Sequence, residues 1–147
     1  METQSATNGK QATFKTGFYP KALYTYSGTH FLNDLVTTGM IPALVVMYKE
    51  AFSLTYTEST LIVLVSYLTS SISQPLFGMI SDRKPRVWFF ALGLFLSVAG
   101  LALTGIAPNL FWLLFFIGIS GLGSGIFHPE ASRGTHFAAG NKKGLAQ

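Results

Sequence analysis

The sequence predicts an all-α membrane protein of four spanning helices, and three observations predict it. Of the 147 residues, 49% are hydrophobic and only 11% charged, where a soluble domain usually carries about one quarter. The charges are segregated: no Asp, Glu, Lys or Arg occurs from Ser59 to Ser81 or from Val87 to Pro129. Nine of the ten Lys and Arg residues also fall in alternate connections. A soluble helical domain with this pattern would have almost no charge for its surface.

The elements follow in order. Residues 1–21 are polar, lack apolar periodicity and read as a cytoplasmic N-terminal tail. They hold no apolar core of the kind a cleaved signal needs. Four membrane helices are expected within 22–132, at about 22–47, 60–80, 87–106 and 110–127. About twenty apolar residues suffice to cross the hydrocarbon core. The long uncharged run divides at Ala107-Pro108-Asn109. Thr55-x-x-Glu58 has the spacing of a capping box opening the second helix. Residues 133–147 are expected as a cytoplasmic segment beyond the fourth.

Lys10, Lys15 and Lys21 precede the first helix, Arg83, Lys84 and Arg86 lie between the second and third, and Arg133, Lys142 and Lys143 follow the fourth. The other two connections hold only Lys49, against Glu50 and Glu58. The positive-inside rule then makes both ends of the chain cytoplasmic. Tyr19, Tyr24, Tyr48, Tyr56, Trp88 and Trp112 fall near the expected interfaces, where amphipathic rings are favoured. The net charge of +4 follows this topology and is no nucleic-acid signal. With no cysteine, disulfides and thiolate metal sites are excluded. His30, His128 and His136 are too scattered along the chain to argue for zinc, so no metal is expected.

Polar residues inside the expected spans are the candidates for function. His30, Asn33, Asp34, Thr37 and Thr38 are spaced to share one face of the first helix. An ionised Asp within a span costs about 2.5–3.5 kcal/mol on insertion scales, and intramembrane acids mark functional sites by default. His30 and Asp34, four apart, can meet and together can load and release a proton near neutral pH. The same Asp also fits a bond to a neighbouring helix. Pro42 frees the carbonyl of Thr38 and should bend this helix. On the second helix Gln74 is the expected cavity residue, while its Ser and Thr residues suit helix packing. On the fourth, Gly121 and Gly125 suit close packing. Pro129 should distort the helix end, with His128 and Glu130 flanking it, and Glu130 and Arg133 are close enough to pair.

Asp82 ends the second helix, where the helix dipole disfavours an acid, so it wants a cation. Arg133 at the same surface is the obvious one, and Gly78 leaves room for a neighbour to approach. Such a contact would latch the cytoplasmic side. The spacing Gly78-x-x-x-Asp82-Arg83-x-x-Arg86 resembles the cytoplasmic loop motif of the major facilitator superfamily, with Pro85 in place of its second glycine. His30-x-x-Asn33-Asp34, Phe52-Ser53-Leu54-Thr55, Gln74-Pro75-x-x-Gly78, the stretch Gly123-Ser124-x-x-Phe127-His128-Pro129-Glu130-x-Ser132-Arg133 and Gly144-Leu145-Ala146-Gln147 resemble its fosmidomycin-resistance branch.

The resemblance implies an inner-membrane, proton-coupled exporter of small molecules, twelve helices in two halves that rock around a central cavity. It implies no cofactor beyond the proton gradient. Many proton-coupled drug exporters carry an arginine in helix four where this chain has Ile117, which leaves Asp34 and His30 as the expected proton carriers. By the same resemblance the chain is the N-terminal four-helix portion of such a transporter, and its partners are a small-molecule substrate, the bilayer and the remaining helices. The other reading the residues leave open is a small four-helix accessory subunit without transport activity. No nucleophile–base pair, phosphate loop or metal cluster points to an enzyme.

Overall fold

The computed structural model describes residues 17–83 and 86–142. They form four helices long and apolar enough to cross a membrane: α1 (Pro20–Ala51), α2 (Tyr56–Arg83), α3 (Trp88–Ile106) and α4 (Leu110–Ala139). Most of the expected tail, Lys84, Pro85 and everything after Lys142 lie outside the described residues.

Three of the four helix starts have a local cause. Pro20 opens α1, where a missing N–H costs nothing. The capping box of α2 is closed in both directions: Glu58 N donates to Thr55 Oγ1 at 3.2 Å, and Thr55 N donates to Glu58 Oε2 at 2.8 Å. Asn109 caps α4 by accepting from Trp112 N at 3.2 Å. The Tyr19 N–H donates to Ala138 O at 2.9 Å and ties the start of α1 to the end of α4.

Three helices run past the lengths that hydropathy gives. The largest difference is in α4, expected to end near residue 127 and continuing to Ala139. Pro129 lies inside it and does not end it. Hydropathy reads the apolar crossing, whereas the helix persists into a more polar region. Pro42 likewise leaves α1 continuous, but the helix turns π over Leu35–Met40 just before it. The Ile41 N–H bonds to Val36 O, five residues back. A π segment shifts side-chain register, so the residues around it no longer follow a single α-helical face.

α4 is the centre of the bundle and packs on α2, α3 and α1. Lipid supplies no hydrophobic drive between helices, so close van der Waals fit must do so. The α3–α4 seam runs backbone to backbone. A Cβ added to Gly93 would lie 2.6 Å from Phe127 N, and one on Gly100 would lie 2.5 Å from Ser120 N. On the opposite side of α4 a Cβ on Gly125 would lie 2.5 Å from Ser73 Cβ of α2. Gly78 differs from expectation. A Cβ there would meet only Pro129 Cβ at 4.0 Å, an ordinary contact, so close approach within the described residues does not require this glycine. Near the 52–55 connection an apolar cluster of Ile41, Tyr48, Leu54, Ile62, Leu101, Leu113 and Ile117 closes the bundle, and Tyr48 Oη lies 2.7 Å from Thr104 Oγ1.

Candidate functional site

The polar residues of α1 do not share one surface. Asn33 is fully buried and Thr37 nearly so, while Thr38 is exposed. Thr37 Oγ1 donates back to Asn33 O at 2.9 Å. Thr37 and Thr38 are consecutive, so the helix turns them to different sides, and both lie within the π segment. Asn33 is a junction of three helices. Ser97 Oγ of α3 donates to its Oδ1 at 2.9 Å, and its Nδ2 donates to Ser124 Oγ of α4 at 3.1 Å. Burying the amide without these partners would cost about 1–3 kcal/mol.

His30 and Asp34 stay half-exposed beside this junction, and His128 of α4 joins them. His30 Nε2 lies 3.0 Å from His128 Nδ1. Asp34 Oδ2 is 3.6 Å from His30 Nδ1, and Asp34 Oδ1 is 3.6 Å from His128 Nε2. Asn33 Nδ2 also approaches His128 Nε2 at 3.4 Å and Asp34 Oδ1 at 3.5 Å. His30 and His128 line an open cleft of about 420 Å³ with Gln74, Gly78, Pro129 and Ser132. Gln74 is held by its own helix, its Nε2 donating to Ser70 Oγ at 3.2 Å. The scatter of histidines along the sequence was thus a poor guide: two of the three meet with an aspartate, and one donor atom from each of the three lies within 4.8 Å of the others.

A second charged group joins α2 and α4 further toward the C-terminal ends of both helices, with Arg133 five residues past His128. Arg133 Nη2 is 2.6 Å from Asp82 Oδ1, and its Nη1 donates to the Ser81 carbonyl at 2.7 Å. Nη1 is also 3.7 Å from Glu130 Oε1. Glu130, expected with the cavity residues, is 7% exposed and belongs to this group instead. It sits two residues past His128, which on a helix turns it to another side. There it lines a separate pocket with Tyr19, Tyr26 and Arg133. Among the described residues Arg83 and Arg86 form no ion pair with Asp82. Arg86 lies over the Phe89 ring, 5.5 Å from its centroid, and both arginines line a surface cleft beside Leu76.

Ser81, Ser97 and Ser124 escaped sequence reasoning. A small residue carries little periodic signal, but the interruption of the apolar α3 by Gly93, Ser97 and Gly100 at helical spacing was available.

Four apolar helices with a close-packed glycine seam and charged groups held between helices define an integral membrane protein of the helical-bundle type. The profile of the Major Facilitator Superfamily matches residues 26–135, and the chain belongs to that family. It is 39% identical over 118 residues to the uncharacterized MFS-type transporter YfnC of Bacillus subtilis (strain 168), covering 80% of this chain and 29% of the relative. It is 35% identical over 119 residues to the fosmidomycin resistance protein of Escherichia coli (strain K12), covering 81% and 29%. The niacin transporter NiaP of Acinetobacter baylyi is 33% identical over 104 residues, 71% of this chain and 24% of that one. The chain therefore spans less than a third of these relatives. No solved structure gives a significant match.

Proposed function

We propose that the chain is the N-terminal part of a proton-coupled secondary transporter of the bacterial inner membrane that exports a drug-like small molecule by alternating access. Both ends of the chain are cytoplasmic in this reading, and the energy source is the proton gradient, with no cofactor. The observation that carries it is the position of Asp34. A carboxylate within a span, half-exposed and flanked by two imidazoles from different helices that line an open cleft, is placed to take up and release a proton next to the cavity. His30 and His128 shape its surroundings, Asn33 fixes the backbone beside it, and Gln74 faces the same cleft. Thr37 and Thr38, in the π segment next to it, sit where α1 can flex. Asp82, Arg133 and Glu130 form a latch between α2 and α4 on the cytoplasmic side, and Arg83 and Arg86 orient the loop at that surface. Export is favoured over import by the named role of the fosmidomycin resistance protein among the relatives.

The test is gradient-driven accumulation of drug in inside-out vesicles carrying the intact transporter. Wild type is expected to accumulate drug only while the proton gradient stands, and D34N to show at least a hundred-fold lower initial rate. Accumulation that survives collapse of the gradient would remove the proton from the mechanism.

A further inference from the structure

The pair of imidazoles between α1 and α4 has an unusual arrangement of nitrogens. The near nitrogens, His30 Nε2 and His128 Nδ1, face each other at 3.0 Å. The far nitrogens, His30 Nδ1 and His128 Nε2, are each 3.6 Å from a different oxygen of Asp34. Among the described residues these two rings are the ion-pair partners of Asp34. With both rings neutral, one ring donates its only hydrogen across the short contact. Its far nitrogen is then a bare lone pair turned toward a carboxylate, with only the long contact from Asn33 to offset that if the ring is His128. The arrangement therefore lacks one cation.

We propose that His30 and His128, backed by Asp34, bind a divalent transition-metal ion of the zinc, cobalt and nickel class. The near nitrogens are the ligands and the ion replaces the hydrogen between them. Each far nitrogen then carries its N–H toward Asp34, 3.6 Å away, and no bare lone pair faces the carboxylate. This is the carboxylate–histidine–metal arrangement that fixes ring orientation and raises ligand basicity. The distance fits the assignment. Metal–nitrogen bonds of about 2.0–2.1 Å at tetrahedral angles set neighbouring ligands about 3.4 Å apart, a few tenths beyond the observed 3.0 Å. The ligand type fits as well, since imidazole suits zinc and its neighbours while calcium and magnesium want oxygen. The two remaining coordination positions open on the cleft beside Gln74 and Ser132. Two protein ligands and two open positions describe an exchangeable ion at the transport cavity, unlike the closed four-ligand shell of a structural zinc.

The intact transporter is purified in detergent, freed of metal and titrated with Co2+, followed by its visible absorption, then with Zn2+ in competition. One Co2+ per transporter, displaced by Zn2+, is the expected result. H30A and H128A should each weaken binding at least ten-fold, D34N by about 10- to 100-fold, and H136A, on the same helix outside the site, not at all. His30 is half-exposed, so H30A carries the test should H128A not fold. Absence of Co2+ binding to the wild type, or binding that survives in H30A, overturns the proposal. Binding is read with no gradient and no substrate, so its failure leaves the proton coupling proposed above untouched, and a failure of proton coupling leaves the metal site to stand on this titration.

Discussion

Asp34 and Asp82 are both carboxylates borne by membrane helices, both meet partners on α4, and they are held in opposite ways. Asp82 is gripped by Arg133 at 2.6 Å, a cation that never loses its charge. Asp34 has two imidazoles at 3.6 Å, partners whose charge depends on a proton. The first contact keeps its cation charged at any physiological pH. The second can be changed without moving anything, by adding or removing one small cation. In the proposed mechanism the first contact would act as the latch and the second as the site whose occupancy sets when it opens.

The latch should show the larger effect on stability. R133A removes the ion pair to Asp82 and the bond to the Ser81 carbonyl, and leaves the buried Glu130 facing no cation among the described residues. Glu130 Oε1 already has no hydrogen-bond partner. The expected loss is about 2–3 kcal/mol in denaturant titrations in mixed micelles, smaller than for a fully buried pair because the Asp82 side chain is 77% exposed. R133K should recover only part of it, lacking the fork that reaches Asp82 and Ser81 together.

The scaffold shared by both sites comes next. G125A places a methyl group 2.5 Å from Ser73 Cβ and should cost about 1–3 kcal/mol as α2 and α4 are forced apart. S97A leaves Asn33 Oδ1 without its donor in a buried position and should cost about 1 kcal/mol. It should also loosen Asp34, visible as faster hydrogen exchange over α1, whereas G125A acts on the α2–α4 contact. The smallest effect is expected for T55A, which opens the capping box far from either carboxylate. About 0.5–1 kcal/mol, with transport unchanged, is its predicted cost.

The two carboxylates also differ in how much of their surroundings could be read from the chain. Asp82 and Arg133 each lie just beyond the C-terminal end of an apolar run, and the second and fourth helices run in the same direction, so topology alone brings them to one surface. The His30–Asp34 contact is local, one helical turn, and equally legible. His128 is not, because it is 98 residues from His30 and only the packing of α1 on α4 joins them. Nor was the inward turn of Asn33 legible. Five polar positions at helical spacing fix a stripe but not which neighbour it faces, and Pro42 announces a bend but not the π register shift that precedes it. The approach of Glu130 to Arg133 was legible from their three-residue spacing, and its two-residue step from His128 turns it away from that ring. The capping box at Thr55 and the four apolar helices were readable because each depends on a short stretch of sequence and on no distant contact.

The most direct measurement of the difference between the two carboxylates is substrate-dependent proton release from acidified inside-out vesicles carrying the intact transporter. The account predicts release on drug addition for wild type, slower but complete release for D82N, whose latch is weakened, and none for D34N. Release from D34N vesicles to the wild-type extent would contradict it, since the proton would then be carried elsewhere and Asp34 would be a structural contact like Asp82.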